Sequence, residues 1–122
     1  MKRMKANDPN AYCGMGHMCR NEGNHEGAFE YYSKAAELGD SESHFNLSLI
    51  YAMGEGVEKD KKREMYHLQE AAIGGHPKAR WNRGCREKDN GKIDKALTHW
   101  IIAANLGNDG ALEAVKLSVM DA

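Results

Sequence analysis

Apolar side chains recur along this chain at helical intervals. Ala28, Tyr32, Ala35 and Leu38 stand four, three and three residues apart, and Ala96, Trp100, Ala103 and Leu106 repeat those intervals 68 residues later. Such a stripe lies along one side of a helix with 3.6 residues per turn, so both segments are predicted to be amphipathic helices facing a partner. Gly39 and Gly107 follow the two stripes directly, and Gly75 closes a third comparable stretch. Glycine enters the left-handed conformation without a Cβ penalty, so each is read as a helix stop. Starts are equally marked: Asp8, Asp40 and Asn108 are predicted N-caps, and Pro9 and Pro77 fall in first turns, where a missing N–H does no harm.

The same signals reveal an internal repeat. The strings KAAELG at Lys34–Gly39, EAAIGG at Glu70–Gly75 and IAANLG at Ile102–Gly107 recur 36 and then 32 residues apart. The residues that begin each unit, at Asp8, Asp40, His76 and Asn108, keep the same register. Shifting by 68 aligns 8–39 with 76–107 without a gap. Repetition at this period is the mark of stacked supersecondary units. The predicted architecture is all-α: an α–α superhelix, or solenoid, of three helix-pair repeats (8–39, 40–75 and 76–107) plus a C-terminal capping helix within 108–122. Residues 8–122 would form one repeat domain after a basic lead at 1–7. Gly16 and Gly84 are expected opposite Ala28 and Ala96, letting paired helices approach closely. In the last helix Ala111, Leu112, Val115 and Val119 would cover the open end of the stack.

The middle unit is four residues longer, and the addition falls in Tyr51-x-x-Gly54-x-Gly56-Val57-x-x-Asp60. With the Lys-Ala-Ala-x-x-Gly endings, this loop resembles the Sel-one-like repeat, a subclass of the tetratricopeptide-type α-solenoids. The likeness covers about residues 8–117 and is most specific in the middle unit. Ser48 and Glu64 replace an expected glycine and alanine, and Arg83 and Glu87 replace a leucine and a tyrosine. The resemblance implies first helices lining a concave surface, and adaptor roles in signalling and in protein-degradation complexes. It also raises the alternative of a repeat fragment from a larger ubiquitin-ligase-associated protein. Secreted members with a cysteine pair in every unit are excluded, because this chain has only Cys13, Cys19 and Cys85.

Composition narrows the function. The 122 residues suit one domain, and 41% hydrophobic with 29% charged residues describes a globular chain. The longest apolar runs, such as Trp100 to Ala104, are far short of the roughly 18 to 20 residues that span a bilayer. The start MKRMK is followed by polar residues rather than an apolar stretch, so an intracellular, cytoplasmic location is expected. A net charge of −1 argues against a general polyanion binder. The charge is nevertheless uneven: residues 40–75 carry a net −3, and 76–107 a net +4.

If the units stack as the resemblance implies, residues spaced by three and four on the first helices would form a partner-binding groove. By register these are Asn10, Cys13, His17 and Arg20; then Glu42, Phe45 and Leu49; then Lys78, Trp81, Cys85 and Lys88. Phe45 and Trp81 are expected either to anchor a partner or to fill gaps between units. Asn46 and Asn82 hold equivalent places, and their amides could grip a peptide backbone or bond locally at helix ends. The basic helix 77–88 could hold an acidic partner or face the acidic neighbouring unit; nucleic-acid binding through it is the weaker alternative. Cys13 and His17 could share a helix face, yet no second pair completes a metal site. Gly54 and Gly56 follow no strand, so they are turn glycines rather than a phosphate loop. None of the six histidines forms a recognisable dyad with a nucleophile, and neither catalysis, a cofactor nor a small-molecule ligand is expected. The function expected is a protein–protein interaction adaptor that binds a peptide or helix. Because Arg83 interrupts a buried stripe, Arg83→Leu is expected to raise the melting temperature; an unchanged or lower value would mean that the arginine is exposed or well paired.

Overall fold

The computed structural model describes residues 7–120, with side chains described for 7–117. Most of the basic lead (1–6), the final residues 121–122 and the Val119 side chain lie outside what is described. Seven helices and no strand are found among the described residues: α1 (Pro9–Asn21), α2 (His25–Glu37), α3 (Ser41–Met53), α4 (Lys61–Ile73), α5 (Pro77–Asp89), α6 (Ile93–Asn105) and α7 (Asp109–Met120). The fold is an all-α solenoid of helix-pair repeats. It divides between Gly74 and Gly75 into two compact units. In the first, α1 packs on α2, α2 on α3 and α3 on α4; in the second, α5 packs on α6 and α6 on α7. The 68-residue shift carries α1 and α2 onto α5 and α6 without a change in length.

Local chemistry places the helix ends. Asp8 accepts from the Asn10 N–H at 3.0 Å, Asp40 from Ser43 at 3.0 Å, and Asn108 from Ala111 at 2.8 Å. Asn24 and Asp60 cap α2 and α4 in the same way. His76 caps α5 through Nδ1, which accepts from the Ala79 N–H at 3.3 Å, a role its residue type does not advertise. Gly39 and Gly107 take φ of 91° and 99°. They let the Asp40 N–H reach the Ala35 carbonyl at 3.1 Å and the Asn108 N–H reach Ala103 at 2.9 Å, the six-to-one bond that closes a helix C-terminus.

In each flanking pair a glycine of the first helix marks the close approach of the two helices. Gly16 of α1 meets the Tyr32 ring, and a Cβ built there would stand 2.6 Å from it; Gly84 of α5 meets the Trp100 indole in the same way. The sequence pattern pointed to Ala28 and Ala96 as the opposing residues; the Ala96 carbonyl does stand 3.1 Å from a Cβ built at Gly84, and the aromatic one turn further along makes the nearer contact in both pairs. In α3 and α4 the register sets Ser48 and Leu68 at these places, a larger residue on the first helix and a smaller one on the second, both buried. The Ser48 hydroxyl donates to the Phe45 carbonyl at 2.6 Å, so its burial leaves no orphan donor.

The predicted stripes are buried except at their last members. Ala28, Tyr32 and Ala35 are covered, whereas Leu38 is 41% exposed and Leu106 is 42% exposed. Both leucines occupy C-cap positions, where the chain already turns away from the helix axis. In α7 Ala111 is buried, but Leu112, about 100° further round the helix, is exposed. The long loop of the middle unit is held by its glycines. Gly54 caps α3 at φ 70°, Gly56 at φ 73° lies against His25, and Val57 packs on the first unit's core.

Gly16→Ala should lower stability. Alanine gains about 1 kcal/mol of helix propensity over glycine, but overpacking costs about 1–3 kcal/mol, and the rigid ring of a fully buried tyrosine has no room to move. Urea denaturation followed by circular dichroism measures the balance, and a midpoint above wild type would show slack between α1 and α2.

Candidate partner-binding surface

In the first unit, α1 and α3 carry the residues that the register groups together. Asn10 and His17 are exposed, Arg20 is half-buried and Cys13 is buried. The Cys13 Sγ lies 3.5 Å from His17 Nε2, and the Tyr32 hydroxyl lies 2.7 Å from His17 Nδ1. The sequence set Cys13 and His17 on one helix face without a recognisable dyad, and the fold brings the thiol to the imidazole. Their chemistry is that of a packing pair: burial pushes the Cys13 thiol up, a hydrogen bond with Ser43 pulls part of the way back, and nearby Asp40 adds to the rise. A thiol held protonated is a poor nucleophile. Among the described residues no group of three histidine, cysteine or acidic side chains is placed to hold a metal ion.

Glu42 is exposed and Leu49 half-buried on α3, but Phe45 is only 9% exposed and Asn46 only 5%. Phe45 therefore packs inside rather than standing free as an anchor. The Asn46 Nδ2 donates to the Glu42 carbonyl at 2.8 Å, and its Oδ1 accepts from Arg20 Nη1 at 3.4 Å. With its amide bonded on both sides within the unit, Asn46 does not grip a partner backbone in this conformation. Arg20 also reaches the long loop, its Nη2 lying 3.4 Å from Glu55 Oε2, so α1, α3 and the loop are joined through one guanidinium.

The second unit holds a cavity of about 620 Å³. Trp81, Cys85 and Lys88 of the predicted stripe line it, joined by Asp89, Ile93, Trp100, Ala114 and Leu117. Lys78 is exposed and Asn82 half-buried, and neither lines this space. The Trp81 and Trp100 rings stack with centroids 5.5 Å apart and planes 28° apart. Trp100 is 3% exposed, and its Nε1 is buried without a hydrogen-bond partner. Burial pushes the Cys85 thiol up, with the Trp100 indole pulling it back. Glu87 Oε2 is likewise buried without a hydrogen-bond partner. The register could have revealed the α7 wall, since Leu117 follows Cys85, and Ala114 follows Asn82, by the 32-residue period. Nothing in the residue pattern separated Trp100 from an ordinary core residue, which it also is.

Sel1 repeats match residues 9–40, 41–76 and 84–108. The chain belongs to the Sel1 repeat family. A crystal structure of a Sel1 repeat protein from Oxalobacter formigenes superposes with a TM-score of 0.77 at 31% identity, over 88% of this chain and 47% of that one. A protective antigen of uropathogenic Escherichia coli with an SLR fold gives a TM-score of 0.73 at 28% identity, over 87% of this chain and 24% of that one. The chain thus spans about half or less of the length of these solved relatives. No curated protein matches the sequence. Sel1 repeat proteins are in general protein-interaction scaffolds, a repeat class without catalytic function of its own. No helix among the described residues of this Sel1 repeat chain is long and apolar enough to cross a membrane.

A second cleft of the Sel1 repeats, about 500 Å³, opens in the first unit beside Glu37, His44, Tyr66, His67 and Glu70. His44 and His67 meet through their Nδ1 atoms at 2.9 Å, so one ring donates and the other accepts. Burial, the neighbouring His44 and the Arg63 charge lower His67 to about 4. Burial also lowers His44, although Glu70, the Ala36 backbone and Asp40 oppose it. Bases with depressed folded-state values favour folding fully above their unfolded value near 6.5, and this contribution fades as pH falls from there towards about 4. The melting temperature should therefore drop across that window, and His67→Gln should flatten the profile. Parallel profiles for the two proteins would place the acid sensitivity elsewhere.

Proposed function

We propose that this Sel1 repeat chain is a protein-interaction adaptor that holds an extended or helical segment of a partner against the first-helix faces of its repeats. On the first unit the contacting residues are Asn10, His17, Arg20, Glu42 and Leu49, with Cys13, Phe45 and Asn46 supporting them from beneath. On the second they are Lys78, Trp81, Asn82, Cys85 and Lys88. One observation carries the reading: the stripe predicted from register alone supplies Trp81, Cys85 and Lys88 to a 620 Å³ cavity walled by two indoles. Tryptophan surfaces with a cationic rim are typical of the residues that dominate protein interfaces. The three cysteines are free, in keeping with work in a reducing intracellular setting. Like its family, the chain would act by bringing proteins together rather than by chemistry.

Selection from a displayed peptide library tests this. Ala114→Phe fills the cavity from the α7 side, where Ala114 is half-buried, and avoids the loss of about 3–5 kcal/mol that truncating a buried phenylalanine such as Phe45 would bring. Selected peptides should bind the wild type and lose roughly tenfold or more in affinity, about 1.4 kcal/mol, against Ala114→Phe of unchanged helicity. Peptides that bind both proteins equally, or a library that yields none, would remove the assignment of this surface.

A further inference from the structure

We propose that the cavity between α5, α6 and α7 receives one large apolar side chain, preferably aromatic, from a partner peptide whose neighbouring residues are acidic. The inference rests on the adaptor reading and adds the chemistry of the occupant. The space is about 620 Å³ and half open to solvent, large enough for one bulky side chain entering from outside. Its walls explain the apolar part. Two indoles stacked at 5.5 Å, the Ile93 and Leu117 side chains and the small Ala114 leave an apolar slot with an aromatic wall. An incoming ring can stack on such a wall or meet it edge-on.

The acidic part follows from α5. This one helix carries Lys78, Arg80, Arg83, Arg86 and Lys88 against the two acids Glu87 and Asp89. Lys88 stands at the mouth of the cavity, exposed, and no ion pair engages its ammonium among the described residues. Asp89 shares the lining and disfavours a second carboxylate on its own side, so the peptide's acids would lie toward Lys88. Residues 76–107 carry +4 and residues 108–122, which supply the α7 wall, carry −2, so the unit holding the cavity is +2, which favours an acidic over a basic segment and makes binding weaken with salt. A basic segment gains neither effect.

Both tryptophans of the chain, Trp81 and Trp100, stand at this cavity, so intrinsic fluorescence reports on it directly. The full chain is titrated with three blocked synthetic peptides: an acidic one with a central Phe, the same peptide with Ala for Phe, and the Phe peptide with Lys at every acidic position. The acidic Phe peptide should give a saturable tryptophan shift, and each of the other two should bind roughly tenfold or more weakly. Lys88→Glu should weaken the acidic Phe peptide and strengthen the basic one, and Ala114→Phe should abolish the response. An acidic Phe peptide no better than either control overturns the proposal. So does free phenylacetate binding as tightly as the peptide, or a shift that depends on protein concentration alone, which would make a second copy the occupant. If library-selected peptides sense Ala114→Phe while the acidic Phe peptide shows no advantage, the adaptor reading stands and this inference falls. If no selected peptide senses that variant, both fall.

Discussion

In each flanking helix pair a glycine on the first helix accepts an aromatic ring from the second. At Gly16 the ring is Tyr32, and at Gly84 it is Trp100. A Cβ at either place would force the helices apart, and the interior of a protein has too little free space to absorb the shift. The middle pair meets the same constraint with Ser48 and Leu68 at the corresponding positions, adding volume on one helix and removing it from the other. Through the three pairs a smaller residue on one helix goes with a larger one on the other, as expected where close packing constrains the side chains.

That contact has consequences beyond stability. Because Tyr32 is drawn against Gly16, its hydroxyl arrives beside His17 Nδ1 and orders an exposed imidazole on the surface of the first unit. Because Trp100 is drawn against Gly84, its ring becomes the platform on which Trp81 stacks and the floor of the second unit's cavity. In both units a core aromatic supports a residue of the proposed binding surface, so core and surface cannot vary independently. The long loop of the middle repeat acts comparably. Its glycines allow it to fold back against α2, and Glu55 then meets Arg20, fixing a guanidinium that also holds Asn46.

Charge is distributed along the same framework. The acidic stretch at 40–75 and the basic one at 76–107 largely offset each other in the total, which is why a net charge of −1 says little about local preference. Within α5 alone the cations outnumber the acids, and the Sel1 repeat scaffold turns that excess into a feature of one helix and its cavity rather than of the whole chain. The half-buried His44–His67 pair is a separate polar element, neutral near pH 7, and belongs to a cleft that the first-helix register does not pick out.

The helices, the caps at Asp8, Asp40 and Asn108, the glycine stops and the 68-residue register were legible in the chain, because each depends on residues near in sequence: a side chain reaching an N–H two or three residues away, or a glycine adopting a positive φ. The register likewise picked out Trp81, Cys85 and Lys88 as neighbours on one helix face, since helical spacing alone decides that. Which residues stay free on that face was not legible. Phe45 and Asn46 look like surface residues by period, yet other elements cover them, and burial is a property of what arrives from elsewhere in the chain. The thiol–imidazole contact of Cys13 and His17 needs a rotamer as well as a spacing, and the His44–His67 bond joins residues on two helices at 2.9 Å. Local geometry thus determined the repeat and its candidate face. Tertiary packing decided which side chains it buried, which it joined and where it left a cavity, because those outcomes depend on volumes brought together across helices and no local spacing encodes them.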